Sequence, residues 1–544
     1  MSIFSHEFKF KKLIPALVGL GWLISCAPVA YRPAPYIQSP VIRVGLIEGT
    51  DSLVFSCERA ITVFANGHKK GMLPGGETYT LIVENSEKIA VEYQVQYAEY
   101  PNRQDAERMK RQLSRYGIQA RIKETGGELQ VGHRVIKGNL KYVLYDQRSW
   151  KSKSGAEKYI NELGAAKARV VADYGVNTVY QIVADDKKFK VAGKVRLAGG
   201  PITISNVPVG RGYHWSRRET RVYEGDLEIQ TGENGGLVVI NVLPLSLYLK
   251  GVLPGEMPAS FPLEALKAQA IAARTYFLHN YTRVHKSHPF DVCDDVHCQS
   301  YVGKNNNEKI RRAVRETRGQ VLQVGDELCN TPYHAMCGGH TENADNVWRG
   351  DAKSYLSGVF DVEHPRAMAS AMDLSREQDL ERWLDSEPNV FCNIVKAGNP
   401  EFAHYAKKFF RWSETFTRQE LEQSIEKYTE KKLGTLVDLI PLTRGVSGRI
   451  IELEVIGTSR TFSIKRELNI RKALSPKTLY SACFVIEPVG SENEVYEAFT
   501  FKGAGWGHGV GMCQIGAACM AHAGKTAERI LEHYYQGARV VALY

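Results

Sequence analysis

Between Val41 and Glu84 apolar and polar residues alternate in short runs, Ile42-Arg-Val-Gly-Leu46, Ile61-Thr-Val-Phe64 and Tyr79-Thr-Leu-Ile-Val83, punctuated by glycines at 67, 71, 75 and 76. A period of two bounded by turn residues predicts strands, so a small β module opens the legible part of the chain. The grammar changes over residues 89–184. Tyr93–Tyr97 alternates as a strand, Pro101–Tyr116 carries Ala106, Met109 and Leu113 at helical spacing, and Ile118–Lys123 returns as a strand. The unit then recurs as Tyr142–Tyr145, a helix with Ala156, Tyr159 and Leu163, and Ala168–Val171. Two such halves predict a small sheet with both helices on one face. Strands resume from Phe189 to Leu249, including Tyr223–Ile229 and Gly236–Val242. A helix follows over Pro262–Tyr276, where Leu266, Ala270, Ala273 and Phe277 form one apolar stripe. Residues 350–490 alternate helices (Arg376–Leu384, Thr417–Tyr428) with strands (Ile450–Val455, Thr461–Ile464) and offer no chemistry. A late helix is expected at Thr526–Tyr535. The fold class is α+β, with the 89–184 unit inserted between the strands of 41–88 and a large domain over 185–544.

The first residues change the picture. Lys9, Lys11 and Lys12 precede an apolar stretch from Leu13 to Ile24 that ends Leu23-Ile-Ser-Cys26. A basic segment, a short apolar run and small residues read as an export signal. The run is shorter than the roughly 20 residues of a comfortable membrane span. Leu-Ile-Ser-Cys resembles a bacterial lipobox, which implies lipidation of Cys26 and a membrane anchor. A plain signal peptide or an uncleaved anchor are the alternatives. Ala27 after the cysteine resembles lipoproteins sent to an outer membrane, and the prolines at 28, 33, 35 and 40 make an extended tether. An exported, lipid-anchored chain is expected, in the periplasm or at the outer membrane where the cell has one, and otherwise at the outer face of the cell membrane.

With 544 residues, 43% hydrophobic and 24% charged, the chain is globular rather than disordered. Its net charge of +10 suits a polyanionic partner. No Lys/Arg run interleaved with aromatics marks a nucleic-acid surface, so nucleic acid is not expected among its partners.

Candidate chemistry concentrates in four places. Gly251-Val-Leu-Pro-Gly-Glu256-Met-Pro reads as a turn-rich segment placing one carboxylate among Leu253, Pro254, Met257 and Pro258. Such a group is either a semi-apolar acid with a raised pKa or a carboxylate interacting with a helix end. His288, Cys293, His297 and Cys298 bring two imidazoles and two thiols within eleven residues. That donor set suits structural zinc, and a Cys293–Cys298 disulfide is the alternative. Tyr333-His-Ala-Met-Cys337-Gly-Gly-His340-Thr341 joins two glycines to polar side chains; a thiol nucleophile and a Cys329–Cys337 disulfide are further readings of it. Phe501-Lys-Gly-Ala-Gly-Trp506-Gly-His508-Gly-Val-Gly-Met-Cys513-Gln514 is glycine-rich, but a single late helix does not provide the βαβ unit of a dinucleotide fold.

These motifs, in this order, resemble the SpoIID/LytB family of stage II sporulation D proteins over most of residues 41–90 and 190–544. The resemblance implies a lytic transglycosylase of peptidoglycan, with Glu256 as its acid. One carboxyl group can protonate the leaving oxygen and then take the proton of the sugar's own C6 hydroxyl, closing a 1,6-anhydro ring, unlike the paired carboxylates of glycoside hydrolysis. It also implies a cleft in which Arg274, Tyr276, His340, Thr341, His508 and Gln514 touch glycan, and a zinc brace beside Glu256. Some members are described as amidase enhancers, which makes a non-catalytic wall-binding role, with a cell-wall amidase as partner, the rival reading. Residues 89–184 resemble a SPOR domain, which implies binding to glycan strands stripped of stem peptides, with Tyr93, Gln94, Gln96 and Tyr97 as exposed contacts. A plain ferredoxin-like spacer is the other reading.

Overall fold

The computed structural model describes residues 39–544, apart from short segments at 85–91, 126–127, 132–133, 139, 166, 174–177, 185–186, 233–234, 282, 286–287, 476 and 491–494. Cys26 and the export segment lie outside the described residues. Helices and several sheets are interleaved along the chain, an α+β arrangement.

The alternating runs near the start form strands Val41–Thr50, Ser52–Cys57, Ile61–Ala65, His68–Leu73 and Thr78–Val83. They share two sheets with strands from 179–244. One has seven strands in the order Val292–Cys293, Val41–Thr50, Leu237–Pro244, Asp226–Thr231, Val195–Ala198, Ile61–Ala65, His68–Leu73. The other has six, in the order Lys187–Ala192, Val179–Ala184, Thr78–Val83, Ser52–Cys57, Ile202–Val209, Arg217–Tyr223. Inward residues of both, such as Val44, Leu53, Leu81 and Ile240, belong to one apolar core.

Within the inserted unit a separate four-stranded antiparallel sheet runs Arg169–Asp173, Glu92–Tyr100, Lys141–Asp146, Ala120–Thr125. Helices Arg103–Arg115 and Lys153–Glu162 cross between its strands. Ala106, Met109 and Leu113 pack onto Leu144 and Tyr97, as their spacing predicts. The unit is smaller than residues 89–184. Strand Val179–Ala184 pairs with Thr78–Val83, Tyr180 opposite Val83, and so belongs to the larger body.

Helix Leu263–Asn280 starts where the sequence places it, after Pro262, but it is not amphipathic. Ala265, Ala268, Ala272 and Thr275 are buried as well as the expected stripe, because small side chains let neighbours close on every face. The segment before it also differs from expectation. Leu245–Glu256 is helical through Glu256, with Pro254 in its last turn, and Met257 N–H still bonds to the Leu253 carbonyl at 2.8 Å. The end of the chain holds two helices, Gln514–His522 and Ala527–Tyr534, rather than one. Strand Ala498–Gly503 before the glycine loop is antiparallel to both neighbours, so no βαβ unit forms there.

Candidate active site and the side chains around it

Glu256 ends its helix at the floor of a pocket walled by Phe261, Met336, Tyr405, Phe409, Trp506 and Gln514. Ser300 N–H donates to Glu256 Oε1 at 2.7 Å. Burial drives the Glu256 carboxyl up to about 7, against opposing hydrogen bonds from Ser300 N–H, Gln514 and Tyr333. Near neutral pH the group is therefore poised between acid and base. Tyr333 is itself held by Gln299, whose Nε2 donates to the Tyr333 hydroxyl at 2.9 Å, while Tyr248 donates to Gln299 Oε1 at 3.2 Å. Glu256 is the one carboxylate lining this pocket among the described residues.

Two glycine loops cross to make the wall. Met336 N–H bonds Trp506 O at 3.0 Å and Trp506 N–H bonds Met336 O at 2.8 Å. At Gly338 (φ +80°) an added Cβ meets the Ala504 Cβ at 2.8 Å, and at Gly505 (φ +81°) it meets the Met336 carbonyl oxygen at 2.7 Å. Positive φ and contact this close leave room for glycine alone. The rim is aromatic. Trp506 stays 39% exposed and packs on Phe409, ring centres 4.3 Å apart, and Tyr405 is 51% exposed. Tyr405 and Phe409 lie in the stretch where the sequence offers no chemistry. A short helical segment, Glu401–Ala406, and Lys407–Phe410 carry them to the pocket.

The expected site residues divide. Gln514 lines the pocket, bonds Glu256 and reaches Gln269 Oε1 at 3.4 Å. Tyr276 sits behind Tyr333, ring centres 6.4 Å apart. His508 is occupied by the backbone: Val510 N–H donates to its Nδ1 at 3.0 Å, so Nε2 carries the proton and donates to Tyr333 O, also at 3.0 Å. Burial holds it neutral, well below the usual imidazole range. It positions Tyr333 and is no free sugar donor.

Arg274 is 1% exposed and is not among the residues that line the pocket. Its Nη1 donates to the carbonyls of Gln320 (3.0 Å) and Ala270 (3.4 Å), fastening its helix to strand Gln320–Val324. Arg274→Met is expected to cost about 1–3 kcal/mol, the penalty of an orphaned buried acceptor, in denaturant unfolding. His340 and Thr341 are interior too. His340 packs edge-on against Phe360 at 4.2 Å and donates to Thr341 O at 2.5 Å, its pKa pushed down to about 4 by burial. Thr341 exchanges hydrogen bonds with Val359. In the inserted sheet Gln96 and Gln94 are buried, since Glu92–Tyr100 is a central strand flanked on both edges. Tyr93 is half-buried and pairs through its backbone with Trp150; Tyr97 turns inward to donate to Asp146 at 2.5 Å.

Among the Cys/His residues His285 replaces His288. One ligand atom each from His285, Cys293, His297 and Cys298 lies within 4.8 Å of the others. His285 Nε2 is 3.2 Å from Cys298 Sγ, and His297 Nδ1 is 3.4 Å from Cys298 Sγ and 3.8 Å from Cys293 Sγ. His288 turns instead toward Glu48 at 3.9 Å and packs edge-on against His285. Two thiols and two imidazoles this close fit a tetrahedral zinc. The cluster adjoins the acid through the chain itself: Cys298 is two residues before Ser300, whose N–H holds Glu256.

Comparison with known proteins adds the following. A family model described as Stage II sporulation protein matches residues 233–323, and a domain of unknown function matches residues 342–511. An uncharacterized protein of Brachyspira hyodysenteriae is 32% identical over 57% of this chain and 69% of its own length. The stage II sporulation protein D of Bacillus subtilis is 28% identical over 55% of this chain and 74% of its own. The amidase enhancer of the same organism is 28% identical over 53% of this chain and 39% of its own length.

Proposed function

Because the chain belongs to the SpoIID family and acts in the context of the cell wall, we propose that it is a lytic transglycosylase cutting peptidoglycan glycan strands, with Glu256 as general acid and then base. The observation that carries this reading is one acid, raised to about 7 by burial, at the floor of an aromatic pocket without a second carboxylate among its described lining residues. Protonated Glu256 gives its proton to the glycosidic oxygen as the bond to the anomeric carbon breaks. The carboxylate then accepts the proton of the C6 hydroxyl as that oxygen bonds the anomeric carbon, so the 1,6-anhydro product forms and the acid is restored. Retaining hydrolysis would instead ask for a partner carboxyl roughly 5–5.5 Å away.

Trp506, Tyr405 and Phe409 offer faces for sugar rings, and Gln514 an amide for hydroxyl or acetamido groups. Trp506→Ala is expected to raise KM about tenfold, a loss of ~1.4 kcal/mol, with kcat nearly unchanged. A reversed split, kcat falling at constant KM, would remove the platform role.

In the inserted unit the sheet order, with its fourth strand beside the first and its third beside the second, and its two crossing helices support a SPOR-like module for denuded strands. Buried Gln94 and Gln96 move the contact away from those side chains, leaving half-buried Tyr93 as the candidate that stands. We further assign a structural zinc to His285, Cys293, His297 and Cys298, and export with lipidation at Cys26. No helix among the described residues is long and apolar enough to cross a membrane. The resemblance to a protein named amidase enhancer favours the second reading, a wall-binding partner of an amidase. Mass spectrometry of denuded strands after digestion separates the two. A 1,6-anhydro-muramyl end made by wild type and absent with Glu256→Gln is the expected result; intact strands after incubation with folded wild type leave the second reading.

A further inference from the structure

We propose that Cys337, Asp361, Cys392 and Cys513 form a second, fully buried site for a thiophilic divalent cation, zinc by its chemistry, distinct from the His285/Cys293/His297/Cys298 cluster. One ligand atom from each lies within 4.8 Å of the others, and all four residues are at most 1% exposed. Cys337 Sγ is 3.4 Å from Cys392 Sγ and 3.5 Å from Asp361 Oδ2. Zinc–sulfur bonds of about 2.3 Å in a tetrahedron set ligand atoms roughly 3.7 Å apart, which these positions approach.

The surroundings are those of sulfur anions rather than of packed thiols. Cys337 N–H and Gly516 N–H both point at Cys513 Sγ at 3.3 Å, and Gly339 N–H points at Cys337 Sγ at 3.4 Å. Cys513 caps helix Gln514–His522, where the helix dipole favours negative charge. Asp361 is oriented by Cys392 N–H (2.9 Å) and the Tyr534 hydroxyl (2.6 Å). Half-buried His533 aims a buried Nε2 without a hydrogen-bond partner at Asp361 Oδ1, 3.6 Å away. Three of the four ligands, Cys513, Cys337 and Asp361, thus carry oriented donors, as the surroundings of a metal site do. Three thiolates and a carboxylate around one dication leave net negative charge, which those N–H groups and the buried Arg449, bonded to Cys337 O at 3.2 Å, offset. A Cys337–Cys392 disulfide uses only two of the three sulfurs and leaves Cys513 Sγ and the Asp361 carboxylate facing it with no cation between them.

The ligands come from both sides of residues 342–511 and from inside that segment, so the ion ties it to the rest of the domain. Two ligands abut the pocket: Ala335 and Met336 precede Cys337, and Gln514 follows Cys513. The proposal is independent of the reaction catalysed.

The full chain loaded with cadmium-113 and observed by NMR tests it. Two resonances per chain are expected, from a mixed nitrogen–sulfur site and a three-thiolate site. Denaturation in chelator followed by alkylation should label all nine cysteines of the described residues. Cys392→Ser should erase the three-thiolate resonance and keep the other; if it does not fold, the wild-type spectrum and thiol count still decide. A wild-type spectrum without a three-thiolate resonance, a Cys337–Cys392 disulfide in the alkylation map, or a Cys392→Ser protein retaining that resonance overturns the second site.

Discussion

Glu256→Gln is expected to slow cleavage of denuded glycan strands by about 10²–10⁴-fold while strand binding persists, the usual contribution of a positioned general acid. The amide keeps the shape of the carboxyl and its bond from Ser300 N–H, but it has no proton to give. The wild-type pH profile follows from the same environment. With the carboxyl raised to about 7, kcat should fall as pH climbs through neutrality and the acid empties. Stability carries a matching sign. An unfolded glutamate titrates near about 4.3, so charging Glu256 opposes folding, and wild type loses stability as pH rises from there through about 7. Glu256→Gln lacks that term and should be more stable than wild type at pH 8, with the gap closing in acid. Calorimetry at the two pH values checks it. A variant equally stable at both would mean that the carboxyl titrates normally and is no acid at neutral pH.

Cys298→Ser, or chelation of the wild type, is expected to lower Tm on the order of 10 °C. A structural zinc contributes on the order of 10 kcal/mol, and each kcal/mol corresponds to about 1 °C in a unit well above the size at which it is about 2–4 °C. The loop that the proposed zinc would brace packs against the body through Cys293, beside Gly45 in the seven-stranded sheet, and ends at Ser300. Loosening that loop also weakens the Ser300 N–H bond that pulls the Glu256 pKa down. The surviving activity should therefore show its alkaline limb displaced to higher pH. A merely structural metal remote from the acid would lower Tm and leave the pH profile in place. An unchanged Tm in chelator would remove the metal from the loop altogether.

What could be read in the sequence was what is local. Period-two runs gave the strands of 41–83, and Ala106, Met109 and Leu113 the helix of the insert, because each depends on neighbours three or four residues away. The long helix at 263–280 was found, but its surroundings were not. Alanines look like an apolar stripe with a neutral back until neighbours close on both sides. Glu256 was legible from its motif, but its pocket was not, since Tyr405 and Phe409 lie some 150 residues later in a stretch without spacing signals. His285 lies outside the motif that offered His288, and only the fold, with His285 at φ +50°, brings its ring to Cys298. Arg274 and Thr341 bond carbonyls of distant segments, Gln320 and Val359, and His340 bonds the carbonyl of its neighbour Thr341, pairings that no motif encodes. The cluster of Cys337, Asp361, Cys392 and Cys513 has no local spacing at all.

Strands Thr78–Val83 and Val179–Ala184 lie side by side with the inserted unit between them. Closing an unstructured loop of roughly 90 residues costs entropy that grows with the logarithm of its length. If the insert folds first, its own chain ends are already drawn together and that cost largely disappears. Synthesis from the N-terminus makes the insert complete before Val179–Ala184 exists. The order of manufacture thus favours the insert as a scaffold that delivers one strand to the other, and a defect in its small core around Leu144 should appear first as slow assembly of the larger sheet, ahead of any loss in the finished protein.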